Sequence, residues 1–399
     1  MSRRTVLVAY GTRPEAIKLA PVVLALTADD RFTSYVVSSG QHREMLDQVS
    51  ALFGIEPDVD LALMRPDQPL PVLTARAVAG FGARMAAVRP EAVVVQGDTT
   101  TAFAAALAAF YARVPVVHVE AGLRTGERYS PFPEEVNRRL IAQLASVHCA
   151  PTPGAAANLL VGGEDPLAVQ VTGNTVVDAL LHVAAGRPEV GDPVVDAAIV
   201  EGRRLVTVTA HRRESWGEGL RSIGRAVGAT ARAHPELLVV VPVHRNPVVR
   251  DDLLPGLRDV ANVRVVEPLG YAAFTALMAA SHVVVSDSGG VQEEAPSLGV
   301  PVLVTRDVTE RPEVVVCGAA ELVGRDERLI EARLTALLDD PVLHRRMSRA
   351  RNPFGDGHAA ERVVACVAEL LGAGARLPAF VPTAAAHSDR PARPQDVRR

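Results

Sequence analysis

Lysine is almost absent from this chain: of 42 basic residues only Lys18 is a lysine, and the rest are arginine. A compact ammonium and a planar guanidinium are not interchangeable at a crowded anionic site, so Lys18 marks a candidate for such a site; the plainer alternative is chance survival on a solvated face. Aromatic residues are scarce, 4% against 48% hydrophobic overall, which leaves a core of Ala, Val and Leu. The three cysteines, Cys149, Cys317 and Cys366, are far apart and never in CxxC spacing. They read as small buried fillers in a reduced, cytoplasmic compartment. After the two N-terminal arginines the first apolar stretch is five residues long, too short for the core of a signal peptide. No run approaches the roughly 18 apolar residues of a membrane span.

Several motifs are missing as well. No GxGxxG follows the first strand-like run and no GxxxxGK[ST] occurs, so dinucleotide-binding and P-loop readings lack support. His118 and Glu120 stand at i and i+2, which on a strand puts both side chains on one face. The pair invites a zinc-deaminase reading, but no PCxxC accompanies it, and a catalytic metal is rejected. Formal net charge is −4, which argues against a nucleic-acid surface; an anionic substrate needs a local basic pocket instead.

At 399 residues the chain is too long for one ordinary core, and two α/β domains are expected. Strand-like runs at 5–10, 33–40, 91–98 and 114–122 alternate with helical stretches, an order that implies a parallel sheet covered on both faces. A Gly/Pro-rich patch at 186–193 reads as a linker, and a second alternation starts with RLVTVTAHRRE at 204–214. The expected division is an N-terminal Rossmann-like domain over 1–172, a C-terminal one over 173–355 and a last helix at 356–372 packing back on the first domain. An Ala/Pro/Arg-rich disordered tail is expected over 373–399.

Three acids stand where runs leave the first core: Asp98, Glu120 and Glu134. Carboxylates at such exits lie near solvent while apolar neighbours can shift their pKa, which makes them candidates for proton transfer. Arg13 and Lys18 fall on the first turns of a helix after Gly11, with Thr12 as its cap, where free N–H groups favour an anion. In SDSGGVQEE, Ser288, Gly289 and Gly290 offer a phosphate seat, and either Glu293 or Glu294 can reach a ribose diol; the bland alternative is a capped helix with its dipole offset. His211, in HRRE, is a candidate acid/base group or diphosphate contact, with Trp216, the only tryptophan, in the same loop.

Taken together, GTRPEAIKLAP, QHREMLDQV, GDTTTA, HVEAGLRTGERYSPFPEEVNRRL, VTGNTVVDAL, TAHRRE, PVHRNP, PLGYAAF, DSGGVQEEAPSLGVPVLVTRDVTERPE and NPFGDGHAAER resemble, in this order, the non-hydrolysing UDP-N-acetylglucosamine 2-epimerases of bacteria. The resemblance spans roughly residues 6–370. It implies a GT-B fold, two Rossmann-like domains whose parallel sheets face across a deep cleft that holds UDP. It further implies interconversion of UDP-N-acetylglucosamine and UDP-N-acetylmannosamine without a metal or nicotinamide cofactor, by a homodimer. It places Asp98, Glu120, Glu134 and His211 in the catalytic set. Arg13, Lys18, Ser288, Gly289, Gly290 and Glu294 fall on nucleotide-sugar contacts, with Phe274 near the uracil. A second, activating site would draw on Gln41, His42, Arg43 and His244.

The implied chemistry needs such groups. Inverting carbon 2 requires removing a poorly acidic proton from one face and returning one to the other, so two acid/base groups are the minimum, each worth factors of about a hundred to ten thousand. Donors placed where charge develops on the departing diphosphate add roughly 3 to 4 kcal/mol apiece. The chain departs from the family pattern at Ser215, where HRREN reads HRRES and a polar contact is shortened, and at Val314, where a smaller residue is commoner. DQPL at 67–70 replaces a usual cation with Asp67, which argues against retention of the activating site. A GT-B glycosyltransferase, a silent nucleotide-sugar sensor and an epimerase for a modified UDP-N-acetylhexosamine are the alternatives. The cluster of three acids favours the epimerase, because a transferase needs one base and a sensor none.

Overall fold

The computed structural model describes residues 3–40, 49–65 and 68–382. The chain divides into two compact units, one of Met1–Ala179 with Phe354–Val381 and one built on Leu180–Pro353. The first unit carries β1 (Arg4–Tyr10), β2 (Phe32–Ser38), β3 (Val59–Asp60), β4 (Ala92–Gln96), β5 (Val116–Val119), β6 (Val147–Ala150) and β7 (Val169–Val171). These form one parallel sheet in the order β3-β2-β1-β4-β5-β6-β7. Both faces are covered by helices, which is why its strands read as unbroken apolar runs such as Val93–Val95, fully buried. The Ala-rich helix Thr100–Tyr111 packs here with Phe81 and Met85 of the helix Leu70–Val88, a helix the sequence reading did not address.

Strand order reverses between β1 and β4, so the loops that leave these two neighbours diverge at the carboxyl edge and open a crevice. Gly11 starts the first of those loops, and a Cβ there would collide with the Ser39 and Thr101 side chains. The close approach, not a special φ, demands glycine.

The helix Thr175–Ala185 carries the chain from the first unit into the second, and the division falls inside it at Ala179/Leu180, later than the expected 172/173 and before the Gly/Pro-rich patch. Its first turn is held in the first unit: Asn174 N–H donates to the Phe354 carbonyl at 2.6 Å, and Asp178 accepts from Ala360 N–H at 2.8 Å. Composition cannot report such contacts, because their partners lie some 180 residues away.

The returning segment packs its helix Ala359–Leu370 against the helix Arg13–Ala28, β5 and β6. The Cys366 thiol meets Cys149 of β6, both buried, whereas Cys317 is exposed and so is not the buried filler expected. The chain also stays attached beyond Gly372. Phe380 is buried, its N–H donates to the Val171 carbonyl on the edge strand β7 at 2.8 Å, and the Arg362 guanidinium lies over its ring. One aromatic with an unpaired strand edge to cover thus corrects the tail expected from 373; residues 383–399 lie outside the described residues.

The second unit has β8 (Leu205–Thr209), β9 (Leu238–Pro242), β10 (Val263–Val266), β11 (Ser281–Ser286), β12 (Val302–Val304) and β13 (Ala320–Leu322), parallel in the order β10-β9-β8-β11-β12-β13. Its reversal lies between β8 and β11. The amphipathic helix Glu218–Ala233 buries Leu220, Ile223 and Val227 on this sheet. Among the described residues no helix is long and apolar enough to cross a membrane.

Candidate functional site

In the first unit the crevice at the β1/β4 reversal is a cavity of about 410 Å³, lined in part by Arg13, Lys18, Gln96, Asp98 and Glu120. Thr12 caps the helix Arg13–Ala28 in a reciprocal box: its hydroxyl accepts from Glu15 N–H, and Glu15 Oε2 accepts from the N–H groups of Thr12 at 2.7 Å and Gly11 at 3.0 Å. The other Glu15 oxygen takes the Thr99 hydroxyl at 2.5 Å, tying the loop after β1 to the loop after β4. Burial raises the Glu15 carboxyl above its usual value, opposed by those hydrogen bonds. Glu15 was not singled out from the sequence, although the Thr-x-x-Glu spacing is its signal.

Glu120 follows β5 directly and is buried with a left-handed backbone, φ +60°. That region costs a non-glycine residue about 1 kcal/mol or more and persists only where its surroundings hold it. Three donors do so here. Lys18 Nζ lies 2.5 Å from Oε1, Asn174 Nδ2 donates to the same oxygen at 3.1 Å, and the Gln96 amide donates to Oε2. The only lysine of the chain therefore sits on a buried carboxylate lining the cavity.

His118 does not join it. The expected pairing of His118 and Glu120 on one strand face fails because β5 stops at Val119. His118 stays in the sheet, its Nε2 at 2.7 Å from the Gly97 carbonyl, and desolvation lowers it to about 4, so it is neutral. His148, its register partner on β6, is likewise lowered by desolvation to about 4.

Asp98 pairs with Arg138 Nη2 at 2.5 Å, and its carbonyl accepts from Asn137 Nδ2 at 2.9 Å. Both partners come from the helix Glu134–Leu144. Glu134 opens that helix, half-buried, with Oε2 accepting no hydrogen bond among the described residues, and it is not among the residues lining the cavity. Its neighbour Glu135 is fully buried and accepts from Thr125 N–H at 3.0 Å and Arg139 Nε at 2.9 Å, which anchors the loop before the helix. The structure thus gathers Arg13, Lys18, Asp98 and Glu120, with Glu134 one helix turn from the Arg138 that holds Asp98.

In the second unit β8 leads to His211 and β11 to Asp287, at the reversal of that sheet. Asp287 is fully buried and its Oδ2 accepts from the N–H groups of His211 at 2.9 Å and Arg212 at 2.8 Å. The His211 ring stacks on His244 at 5.5 Å and 16°, and Trp216 Nε1 donates to the His211 carbonyl at 3.2 Å. Desolvation lowers the imidazole pKa, with His244 and Arg212 acting in the same sense and Asp287 opposing.

Ser288 precedes the short helix Gly289–Glu294 without capping it; its N–H donates to Ser286 Oγ at 2.9 Å. A Cβ on Gly289 would stand 2.7 Å from the guanidinium carbon of Arg311, whose Nε donates to Glu293 at 2.6 Å. Arg311, in the TERPE segment, thus belongs to this turn, and the sequence reading had not assigned it. The two adjacent glutamates separate by partner: Glu294 accepts from the Tyr271 hydroxyl at 3.1 Å, on the same helix, Tyr271–Ala280, as Phe274. Burial, with Glu294 adding, raises the Tyr271 phenol well above its usual value. Ser215 Oγ, at the position where HRREN reads HRRES, is buried and makes no hydrogen bond among the described residues. Gln41, His42, Arg43 and Asp67 lie outside the described residues.

The sequence matches the family described as UDP-N-acetylglucosamine 2-epimerase over residues 24–368. A UDP-N-acetylglucosamine 2-epimerase of Escherichia coli K12 is 47% identical over 368 residues, covering 90% of this chain and 97% of its own length. A crystal structure of the Neisseria meningitidis UDP-GlcNAc 2-epimerase bound to UDP-GlcNAc superposes with a TM-score of 0.81 at 44% identity, covering 92% of this chain and all of the other. The glycosyltransferase SnogD of Streptomyces nogalater, at 20% identity and a TM-score of 0.62, shares the fold alone.

Proposed function

The chain belongs to the UDP-N-acetylglucosamine 2-epimerase family, and from that premise we propose that it interconverts UDP-N-acetylglucosamine and UDP-N-acetylmannosamine at carbon 2 by eliminating and re-adding UDP. A carboxylate of the first unit takes the carbon 2 proton while the carbon 1–oxygen bond breaks, its electron pair leaving with UDP. The product of that half is 2-acetamidoglucal. A second acid then returns a proton to the opposite face of carbon 2, and UDP oxygen re-forms the bond at carbon 1. The sequence is redox-neutral, so it balances without an electron-accepting cofactor.

The observation that carries this reading is the shared cavity of Asp98 and Glu120, two carboxylates with Arg13 and Lys18 beside them. Glu120 is held by fixed donors, and proton transfer demands that placement. Asp98 and Glu134 are the remaining acids for the other face. In the second unit His211, Arg311 and the Ser288–Gly290 turn are assigned to the diphosphate, Glu294 to the ribose and Phe274 to the uracil. A glycosyltransferase of the same fold has no use for the second carboxylate.

Incubation with UDP-N-acetylglucosamine in heavy water, followed by NMR, tests the reading. Deuterium at carbon 2 together with the manno epimer is the expected result; neither appearing would refute it for this substrate. A cytoplasmic homodimer belongs to the same reading, and light scattering checks the assembly.

A further inference from the structure

We infer that Asp287 is a positioning residue for His211: its buried carboxylate pins the loop bearing the imidazole and selects the tautomer with the proton on Nδ1, so that Nε2 is the nitrogen that takes up a proton and donates it toward the departing diphosphate. The geometry supports each half. One carboxylate oxygen, Oδ2, gathers two successive backbone N–H groups, those of His211 and Arg212, so the loop cannot shift without breaking both bonds. The other oxygen, Oδ1, is buried, accepts no hydrogen bond among the described residues and lies 3.7 Å from His211 Nδ1.

A carboxylate oxygen sealed from water strongly favours gaining a donor, and Nδ1–H is the donor facing it. A small rotation of the imidazole closes that distance to a hydrogen bond. His244 constrains the rotation from the other side, because its ring is stacked nearly parallel on His211. His244 has its own fixed orientation, its Nδ1 accepting from Asn246 N–H at 3.1 Å. The charged and titratable groups facing His211 are therefore Asp287 from the loop after β11, His244 from the loop after β9 and Arg212 from its own loop. Asp287 is the one that favours the imidazolium, and the other two oppose it.

The inference rests on the proposed role of His211 for its effect on turnover but not for the tautomer, and the test separates the two. ¹⁵N spectra of histidine-labelled full-length protein, with His211 identified by the H211Q difference, should show the proton on Nδ1 in the unsubstituted protein. In Asp287→Asn the amide oxygen retains the backbone bonds and the amide N–H₂ faces Nδ1, so the proton should move to Nε2. Epimerisation kcat should then fall about a hundred- to ten-thousandfold while KM stays within about threefold. A proton on Nε2 in the unsubstituted protein overturns the inference whether or not the variant folds. So does an unchanged tautomer in a folded D287N, or a loss of UDP binding as large as the loss of kcat. If the unsubstituted protein does not epimerise, the spectra still decide the role of Asp287.

Discussion

In the first unit the acid proposed to react is already gripped: Glu120 meets Lys18, Asn174 and Gln96 from three separate elements, and its neighbour Asp98 meets Arg138. In the second unit the imidazole proposed to react is half-exposed and stands 3.7 Å from its nearest carboxylate oxygen, stacked on a second ring. The contrast matches the two tasks. Moving a proton on carbon requires a base fixed to within fractions of an ångström, and rigid donors supply that. Handling a diphosphate that arrives and leaves suits a group whose contacts tighten only with ligand present.

The comparison breaks most readily at Lys18. Lys18→Arg places a planar fork where an ammonium shares one carboxylate oxygen with Asn174, so Glu120 must move. We expect kcat/KM to fall about a hundredfold with global stability little changed. Unchanged kinetics would return the only lysine to chance.

A smaller effect concerns stability. Burial raises Asp178 from 3.8 to about 6, with its hydrogen bonds from the Ala359 and Ala360 N–H groups opposing. The native state therefore holds this proton more tightly than the unfolded chain, and the group's contribution declines as pH rises from about 4 through about 6. Asp178→Asn cannot ionise, so it should be more stable than the parent by up to about 3 kcal/mol at pH 8 and equal to it near pH 4, read from denaturant melts. An equal offset at both pH values would contradict the assignment. His118 and His148 act in the other sense: lowered from 6.5 to about 4, they withdraw stability from the first unit as pH falls through that range.

Much of this was legible in the sequence, because strand and helix periods, the Thr12 cap and the acids at strand exits are local properties. The legible part stops where a partner far along the chain decides. Adjacent pairs show it best: in Glu134–Glu135 and Glu293–Glu294 the sequence singles out one member or leaves the choice open, and only the hydrogen bonds of Thr125 and Arg139 to Glu135, of Arg311 to Glu293 and of Tyr271 to Glu294 distinguish them. The left-handed turn at Glu120 carries no glycine to announce it, and donors from residues 18, 96 and 174 sustain it. Asp287 carries no local signal, because its importance lies in two backbone N–H groups about 75 residues earlier.

The division of labour between the units is tested most directly by one variant with two readouts. Glu120→Gln keeps the shape of the side chain and removes the base. Carbon 2 exchange in heavy water should fall at least about a hundredfold, while UDP affinity, followed through Trp216 beside His211 in the second unit, stays within about threefold of the parent. Loss of exchange and UDP binding together, to the same degree, would show Glu120 to be a structural residue and contradict the account.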